Sequence, residues 1–250
     1  MKSWSIYKIF SNDKSIIAGS TTKDTNFDYS YSLAIHTGEN VESIELNRKD
    51  FSEKFPSSFK FVTLNQVHGS KIVDIDKINP SSKWFGSDID ADGMVTSKKN
   101  IVLNILTADC MALLAYDSNA KIIGAAHAGW KGSAKNIAKT LIDLMLKKGA
   151  DIKNIKVALS PSIRACCYEV DYSVVKEFFK YSDSLVKTSH NKWHLDLSIV
   201  NKLQLLNLGI KEENIEVSPI CTSCSSDRYF SYRKECGCSG RFLNYIAMVN

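Results

Sequence analysis

The chain is short of the side chains that crowded metal centres use: among its 250 residues stand only 5 histidines, beside 4 prolines and 12 glycines. It also lacks a long apolar run. Its most apolar stretch, 101–116, is interrupted by Asn104, Thr107 and Asp109, so it does not read as a membrane span. The opening MKSWSIYKIFSNDKSIIAG has no continuous apolar segment of the kind a secretory signal needs. Internal repeats, low-complexity tracts and linkers rich in Pro, Gly or Ser are missing too, which excludes a disordered or beaded chain. Nor is one sign of charge concentrated. Thirty-two Lys+Arg against 27 Asp+Glu leave +5, mostly as scattered lysines, which favours solubility over a nucleic-acid stripe. These absences predict a cytoplasmic protein whose partners include neither nucleic acid nor membrane.

What is there is a globular composition, 44% hydrophobic and 24% charged, long enough to bury a sizeable core. A single domain over 1–250 is expected. The 7 cysteines, an odd number, read in a reducing compartment as thiols or metal ligands and not as disulfides.

The first 55 residues are polar and irregular, with turn-rich pieces such as Gly19-Ser20-Thr21-Thr22-Lys23-Asp24. Strand patterns begin at Ser58: Phe59, Phe61 and Thr63 alternate with Lys60, Val62 and Leu64, and Lys71-Ile72-Val73-Asp74-Ile75 follows the turn-like His68-Gly69. Further strands are predicted at 101–106, 111–116, 121–126, 155–159, 215–217 and 242–248. The period then changes to that of a helix, with Ala134, Ile137, Ala138, Leu141, Leu144 and Met145 on one stripe and Gly149 placed to end it. Helices are also predicted over 171–181 and 196–208, the second stopped by Gly209. The fold class is α+β, a single domain with a mixed β-sheet and helices packed on it.

Asp117-Ser118-Asn119-Ala120 is made of turn formers. A hairpin centred between Ser118 and Asn119 sets Cys110 opposite His127, where facing Cβ atoms of an antiparallel ladder lie about 4.5–5.5 Å apart. That separation suits a thiolate and an imidazole on one metal, and equally a nucleophile–base dyad. His68, at a strand end beside Gly69, is a third candidate; two histidines and a cysteine leave one tetrahedral position open, as a catalytic zinc requires.

Gln66-Val67-His68-Gly69, Asp90-Ala91-Asp92-Gly93, Thr107-Ala108-Asp109-Cys110 and His127-Ala128-Gly129-Trp130 together resemble, in order and spacing, the YfiH/LACC1-type laccase-domain family. Cys166-Cys167-Tyr168-Glu169-Val170, Cys221-Thr222, Phe230-Ser231-Tyr232-Arg233 and Gly240-Arg241 extend the resemblance to the C-terminus. Before Lys60 it is carried only by His36-Thr37-Gly38 and Asn47-Arg48, and Ser160-Pro161-Ser162-Ile163-Arg164 departs from the family's Gly-Pro-x-Ile-Gly. The resemblance implies a CNF1/YfiH-like cysteine-hydrolase architecture and a zinc site at His68, Cys110 and His127, with Cu2+ as the other ion to consider. It also implies the phosphorolysis of adenosine, inosine and methylthioadenosine, adenosine deamination, and a monomer or homodimer.

Given those substrates, phosphate calls for Arg, Ser or Thr donors, and Arg48, Ser231, Arg233 and Arg241 are the candidates. Asp92 and Asp109 are candidates for acid–base work or for orienting a histidine ligand, Asp109 because it adjoins Cys110. Trp130 is placed to stack on a purine. Cys221, Cys224, Cys236 and Cys238 resemble a second, structural zinc knuckle, set against free thiols as the default; Cys166-Cys167 reads as a packed pair. His190 and His194 flank a turn entering a strand and stay outside the site. The alternatives are a metal-free Cys–His hydrolase or deamidase, a copper-dependent polyphenol oxidase, and a zinc-stabilised binding module. True multicopper centres need more imidazoles than the 5 present.

Overall fold

The computed structural model describes residues 5–237 and 240–249. Two six-stranded sheets lie face to face. The first runs, edge to edge, through Ser5–Ile6, Ile16–Ser20, Phe242–Met248, Ile101–Thr107, Lys60–Thr63 and Trp84–Phe85. The second runs through Ile215–Val217, Ile155–Leu159, Met111–Asp117, Ile122–Ala128, Gly93–Thr96 and Ile72–Asp74. Both mix parallel and antiparallel pairs. A small third sheet joins Glu169–Asp171, Lys192–Leu195 and Leu185–Ser189. The single mixed sheet expected from the sequence is therefore two stacked sheets, in an α+β domain.

The period of two in the central strands explains the stacking. Ala112, Leu114 and Tyr116 meet Leu103, Ile105 and Ile246 between the sheets. Met111, Leu113 and Ala115 point the other way, into a core closed by the helices Ile137–Lys147 and Leu197–Asn207. A strand buried on both faces reads as a continuous apolar run, as here. On the outer face of the first sheet Phe61 and Tyr245 pack with Phe51 and Phe55.

That outer cover corrects the expectation of an irregular first 55 residues. Ile16–Ser20 is a strand and Val41–Ser52 a helix, whose N-terminus Asn40 caps by accepting from the Ser43 N–H at 3.0 Å. Its buried face carries Asn47 and Arg48 beside Ile44 and Phe51, so it shows no apolar stripe. The stripe from Ala134 to Met145 is likewise not one helix. Trp130–Ala134 is followed by Asn136 in the left-handed region (φ 58°), which caps a second helix, Ile137–Lys147. The helix expected over 171–181 is a single turn, Tyr172–Val175, continuing as 3-10 turns over Lys176–Ser184.

The hairpin register also differs. Ala112, not Cys110, faces His127, and the loop is Ser118-Asn119-Ala120-Lys121. The Asp117 carboxylate accepts from the N–H groups of Asn119 (2.9 Å) and Ala120 (3.0 Å), and Lys121 turns the chain at φ 54°. The centre moves by one residue and each pairing by two, an even step that leaves every side chain on its face.

Candidate functional site

Three segments bring His68, Cys110 and His127 together where the chain crosses between the two sheets. Ala108-Asp109-Cys110 carries the chain from the first sheet to the second, turning at Asp109 (φ 79°), and so delivers Cys110 at the mouth of the hairpin. His127 stands near the end of the returning strand. His68 lies in the loop after Lys60–Thr63 and holds φ 58°, an uncommon conformation for a residue other than glycine.

Asp92 fixes that geometry. Fully buried just before the strand Gly93–Thr96, it accepts from the backbone N–H of His68 at 2.9 Å and of Gly69 at 2.6 Å. Its Oδ1 also lies 3.1 Å from His127 Nδ1, and its carbonyl accepts the His127 N–H at 2.6 Å. Burial pushes its carboxyl up, but His127 and the two amides outweigh burial and hold it below the usual carboxylate range. With Nδ1 committed to Asp92, His127 presents Nε2 to the site.

The ligand atoms of His68, Cys110 and His127 lie within 4.8 Å of one another, and the two rings meet edge to face at 4.8 Å between centroids. Both imidazoles lie close enough to Cys110 Sγ to act on its ionisation. Burial would raise that thiol, yet the histidines bring it down to about 6. Burial would lower His127, yet Cys110 and Asp92 carry it up to about 9. Each group favours the charged form of the other, which suits a nucleophile–base pair; a metal ion would take the thiolate together with an imidazole freed of its Nε2 proton. Two imidazoles and a soft thiolate, with Asp92 behind one ring, fit a zinc-class ion. Gly129 makes room: a Cβ there would sit 3.0 Å from Cys110 Sγ and 3.4 Å from His68 Cδ2.

The trio opens into a cavity of about 500 Å³, whose walls include Leu106, Ile163, Leu197, Trp130 and Tyr168. Arg233 and Arg241 both line it. Arg233 Nη1 donates to the Glu169 carbonyl at 3.0 Å and its guanidinium lies 5.3 Å from the centre of the Tyr168 ring. Arg241 is part-buried, 5.7 Å over Tyr232. Gln66 sets one edge by pairing with both backbone groups of Leu106, at 2.8 and 2.9 Å.

Three anticipated residues stand elsewhere or work differently. Arg48 does not line this cavity: its Nε donates to the Leu33 carbonyl at 2.9 Å and its guanidinium lies 4.9 Å over Trp84, bordering a separate cleft. Burial brings its pKa down to about 10. Ser231 is fully buried and closes a turn, its Oγ accepting from the Lys234 N–H at 3.2 Å. Asp109 lines the cavity without reaching a ring. Its oxygens accept from Thr222 Oγ1 at 2.6 Å and from the Arg233 N–H at 2.7 Å, so it ties Arg233 to the cysteine loop.

His36 is an addition. Burial and the neighbouring Arg241 and Arg48 hold its imidazole below the usual value. Its only trace in the sequence was the loose match at His36-Thr37-Gly38. The departure at Arg164 leaves the cavity untouched, because Nε pairs with Asp196 at 2.9 Å and Nη1 with the Ser218 carbonyl at 2.8 Å. Cys221 and Cys224 do gather with two other cysteines, but these are Cys166 and Cys167. Among the described residues Cys236 is an exposed thiol in a turn outside that group, and Cys238 lies outside the described residues. Among the described residues no helix is long and apolar enough to cross a membrane.

A family model described as multi-copper polyphenol oxidoreductase laccase matches residues 18–249. A relative from Bacillus subtilis (strain 168), purine nucleoside phosphorylase YlmD, is 30% identical over 95% of this chain and 90% of its own. Adenosine deaminase RL5, from an unknown prokaryotic organism, is 33% identical over 72% of each chain. Among solved structures, the Bacillus licheniformis hypothetical protein YfiH superposes with a TM-score of 0.90 at 28% identity, over 99% of this chain and 97% of that one.

Proposed function

The chain belongs to the multi-copper polyphenol oxidoreductase laccase family, and we propose that it is a zinc-dependent purine nucleoside phosphorylase with adenosine deaminase activity. One observation carries the reading: His68, Cys110 and His127 converge at a cavity of about 500 Å³ that two arginines also line. That volume suits a nucleoside with phosphate beside it. The relatives named for phosphorolysis and for adenosine deamination support the substrate class.

His68, Cys110 and His127 hold the ion, which when bound supplies Lewis acidity and eases the deprotonation of water. Arg233 and Arg241 bind phosphate, whose charge and geometry match a guanidinium fork. In phosphorolysis a phosphate oxygen bonds to C1′ of the ribose, and the C1′–N9 bond breaks with its electron pair passing to the purine, which takes up a proton. Adenosine, inosine and methylthioadenosine share the bond that breaks. Trp130 and Tyr168 offer the base aromatic surfaces. Asp92 and Asp109 act through other residues, the first by fixing both histidine loops, the second by holding Arg233.

Copper chemistry is less well supported. The 5 histidines of the sequence are too few for a multicopper cluster, and no methionine is among the cavity's lining residues to serve as an axial ligand. A metal-free Cys–His hydrolase is favoured by a different feature, the succession Asp92–His127–Cys110, which is that of orienter, base and nucleophile.

Adenosine incubated with the zinc-loaded protein, with and without phosphate, tests the reading by chromatography of the products. Adenine and ribose 1-phosphate appearing only with phosphate, together with inosine and ammonia, are expected. Failure to turn over adenosine, inosine or methylthioadenosine would overturn it. Full activity of the metal-free protein, abolished by a thiol-directed inhibitor, would give the hydrolase precedence.

A further inference from the structure

We propose that Cys166, Cys167, Cys221 and Cys224 form a second metal site, a tetrathiolate centre for a zinc-class divalent ion that braces the wall of the catalytic cavity. The four Sγ atoms lie within 4.8 Å of one another, with Cys166–Cys224 at 3.6 Å and Cys167–Cys224 at 3.4 Å. Four thiolates about 2.3 Å from a tetrahedral ion stand about 3.8 Å apart along each edge. The observed separations approach that edge and are far beyond the roughly 2.05 Å of a disulfide bond.

The chain brings the thiols together by main-chain pairing. Ser162 and Cys221 form a parallel bridge, with the Thr222 N–H on the Ser162 carbonyl at 3.1 Å. Cys221-Thr222-Ser223-Cys224 then folds as a turn, the Ser225 N–H reaching the Cys221 carbonyl at 3.0 Å. Cys221 is buried while Cys166 and Cys224 are exposed, so the cluster sits at the surface, where an ion can enter. Soft thiolates in a tetrahedral set select zinc over the hard cations.

This location ties the ion to the cavity. Tyr168 follows Cys167 directly, and Thr222, between the two other ligands, holds Asp109, which in turn holds the Arg233 backbone. An ion joining the two segments fixes both at once.

Zinc content measured after purification under reducing conditions tests the assignment. Wild type should carry one equivalent more than Cys167→Ser/Cys224→Ser. Cobalt added to Cys110→Ser, which lacks the cavity thiolate, should give a strong thiolate charge-transfer band that Cys110→Ser/Cys167→Ser/Cys224→Ser lacks. Equal zinc in wild type and the double variant, or no such band, would overturn the proposal. Should the variants fail to fold, alkylation of the unmodified protein decides. All four thiols should be protected until a chelator is added. Alkylation at the rate of the unfolded chain before any chelator is added would refute it.

Discussion

Asp92 and His127 are joined twice, through Oδ1 to the ring Nδ1 at 3.1 Å and through the carbonyl to the backbone N–H at 2.6 Å, while the same carboxylate holds the loop of His68. One buried side chain thus sets the separation of two candidate ligand histidines that stand far apart in sequence. Replacing it tests whether that control matters. Asp92→Asn keeps the volume but turns an N–H₂ toward one of its donors, and should weaken zinc about 10–100-fold, measured by competition with a coloured chelator. Unchanged affinity would show that the histidines are positioned without it.

Gly129→Ala separates sterics from charge. Gly129 has φ −73°, open to any residue, so the backbone resists nothing. The new methyl, however, meets Cys110 Sγ at 3.0 Å, so that the sulfur must give by a few tenths of an ångström, and touches His68 Cδ2 at 3.4 Å. Misplacing reacting groups by as much as 1 Å costs up to about 100-fold in rate. A fall in kcat/KM of at least about 10-fold is expected, with a melting temperature close to wild type. An equally active variant would remove Cys110 from the working geometry.

The arginines predict a split between substrates. Arg233→Ala should raise KM for phosphate by about 10-fold or more, since a charge-assisted hydrogen bond contributes about 1.5–3 kcal/mol. Its deamination of adenosine, which uses no phosphate, should change little. Arg48→Lys, bordering a separate cleft, should leave KM for phosphate alone while lowering stability through the lost Trp84 contact. Steady-state kinetics on both reactions checks the three kinetic outcomes, and a melting curve the stability.

The ion cluster at Lys148 gives a pH dependence remote from the site. Lys148 Nζ bridges Asp74 at 2.7 Å and Asp76 at 2.8 Å. Burial pushes the Asp76 carboxyl up, but Lys148 and the hydroxyls of Ser97 and Thr96 outweigh it and hold it well below the usual carboxylate range. Its folded pKa being depressed, the stabilisation is present above the unfolded value of about 3.9 and is lost as pH falls below it. For Lys148, burial pulls the ammonium down and the two carboxylates more than restore it, so its folded pKa is raised. That part persists below about 10.4 and is lost as pH rises further. Lys148→Met should therefore melt below wild type at pH 7, with the gap narrowing at acid and alkaline extremes. A gap constant with pH would contradict this.

Much of this was legible from residue order, for identifiable reasons. Strands such as Ile101–Thr107 announce themselves because both faces are buried and every position is apolar or neutral. The candidate trio was legible because a shift of register by two preserves faces: His127 pairs with Ala112, yet Cys110 still reaches its ring. What stayed hidden was set by contacts that no local pattern records. Val41–Ser52 hides its inward face behind Asn47 and Arg48, polar residues satisfied by the carbonyls of Ser32 and Leu33. Arg48 and Ser231 have the chemistry for phosphate, but a hydrogen bond to the Leu33 carbonyl employs the first elsewhere and a local turn the second. Cys167 and Cys224 are 57 positions apart, and it is long-range pairing such as the bridge at Ser162 and Cys221 that makes them neighbours.

Central to the proposed function is one ion held by His68, Cys110 and His127 in the cavity proposed for nucleoside and phosphate. Returning zinc stepwise to chelator-stripped wild type and Cys110→Ser, with bound zinc measured at each step, tests it most directly. Phosphate-dependent adenine release should rise with the zinc that wild type binds and Cys110→Ser does not, level off at one such equivalent per chain, and stay absent in Cys110→Ser. Full phosphorolysis before any zinc is returned, or none once that equivalent is bound, would contradict it.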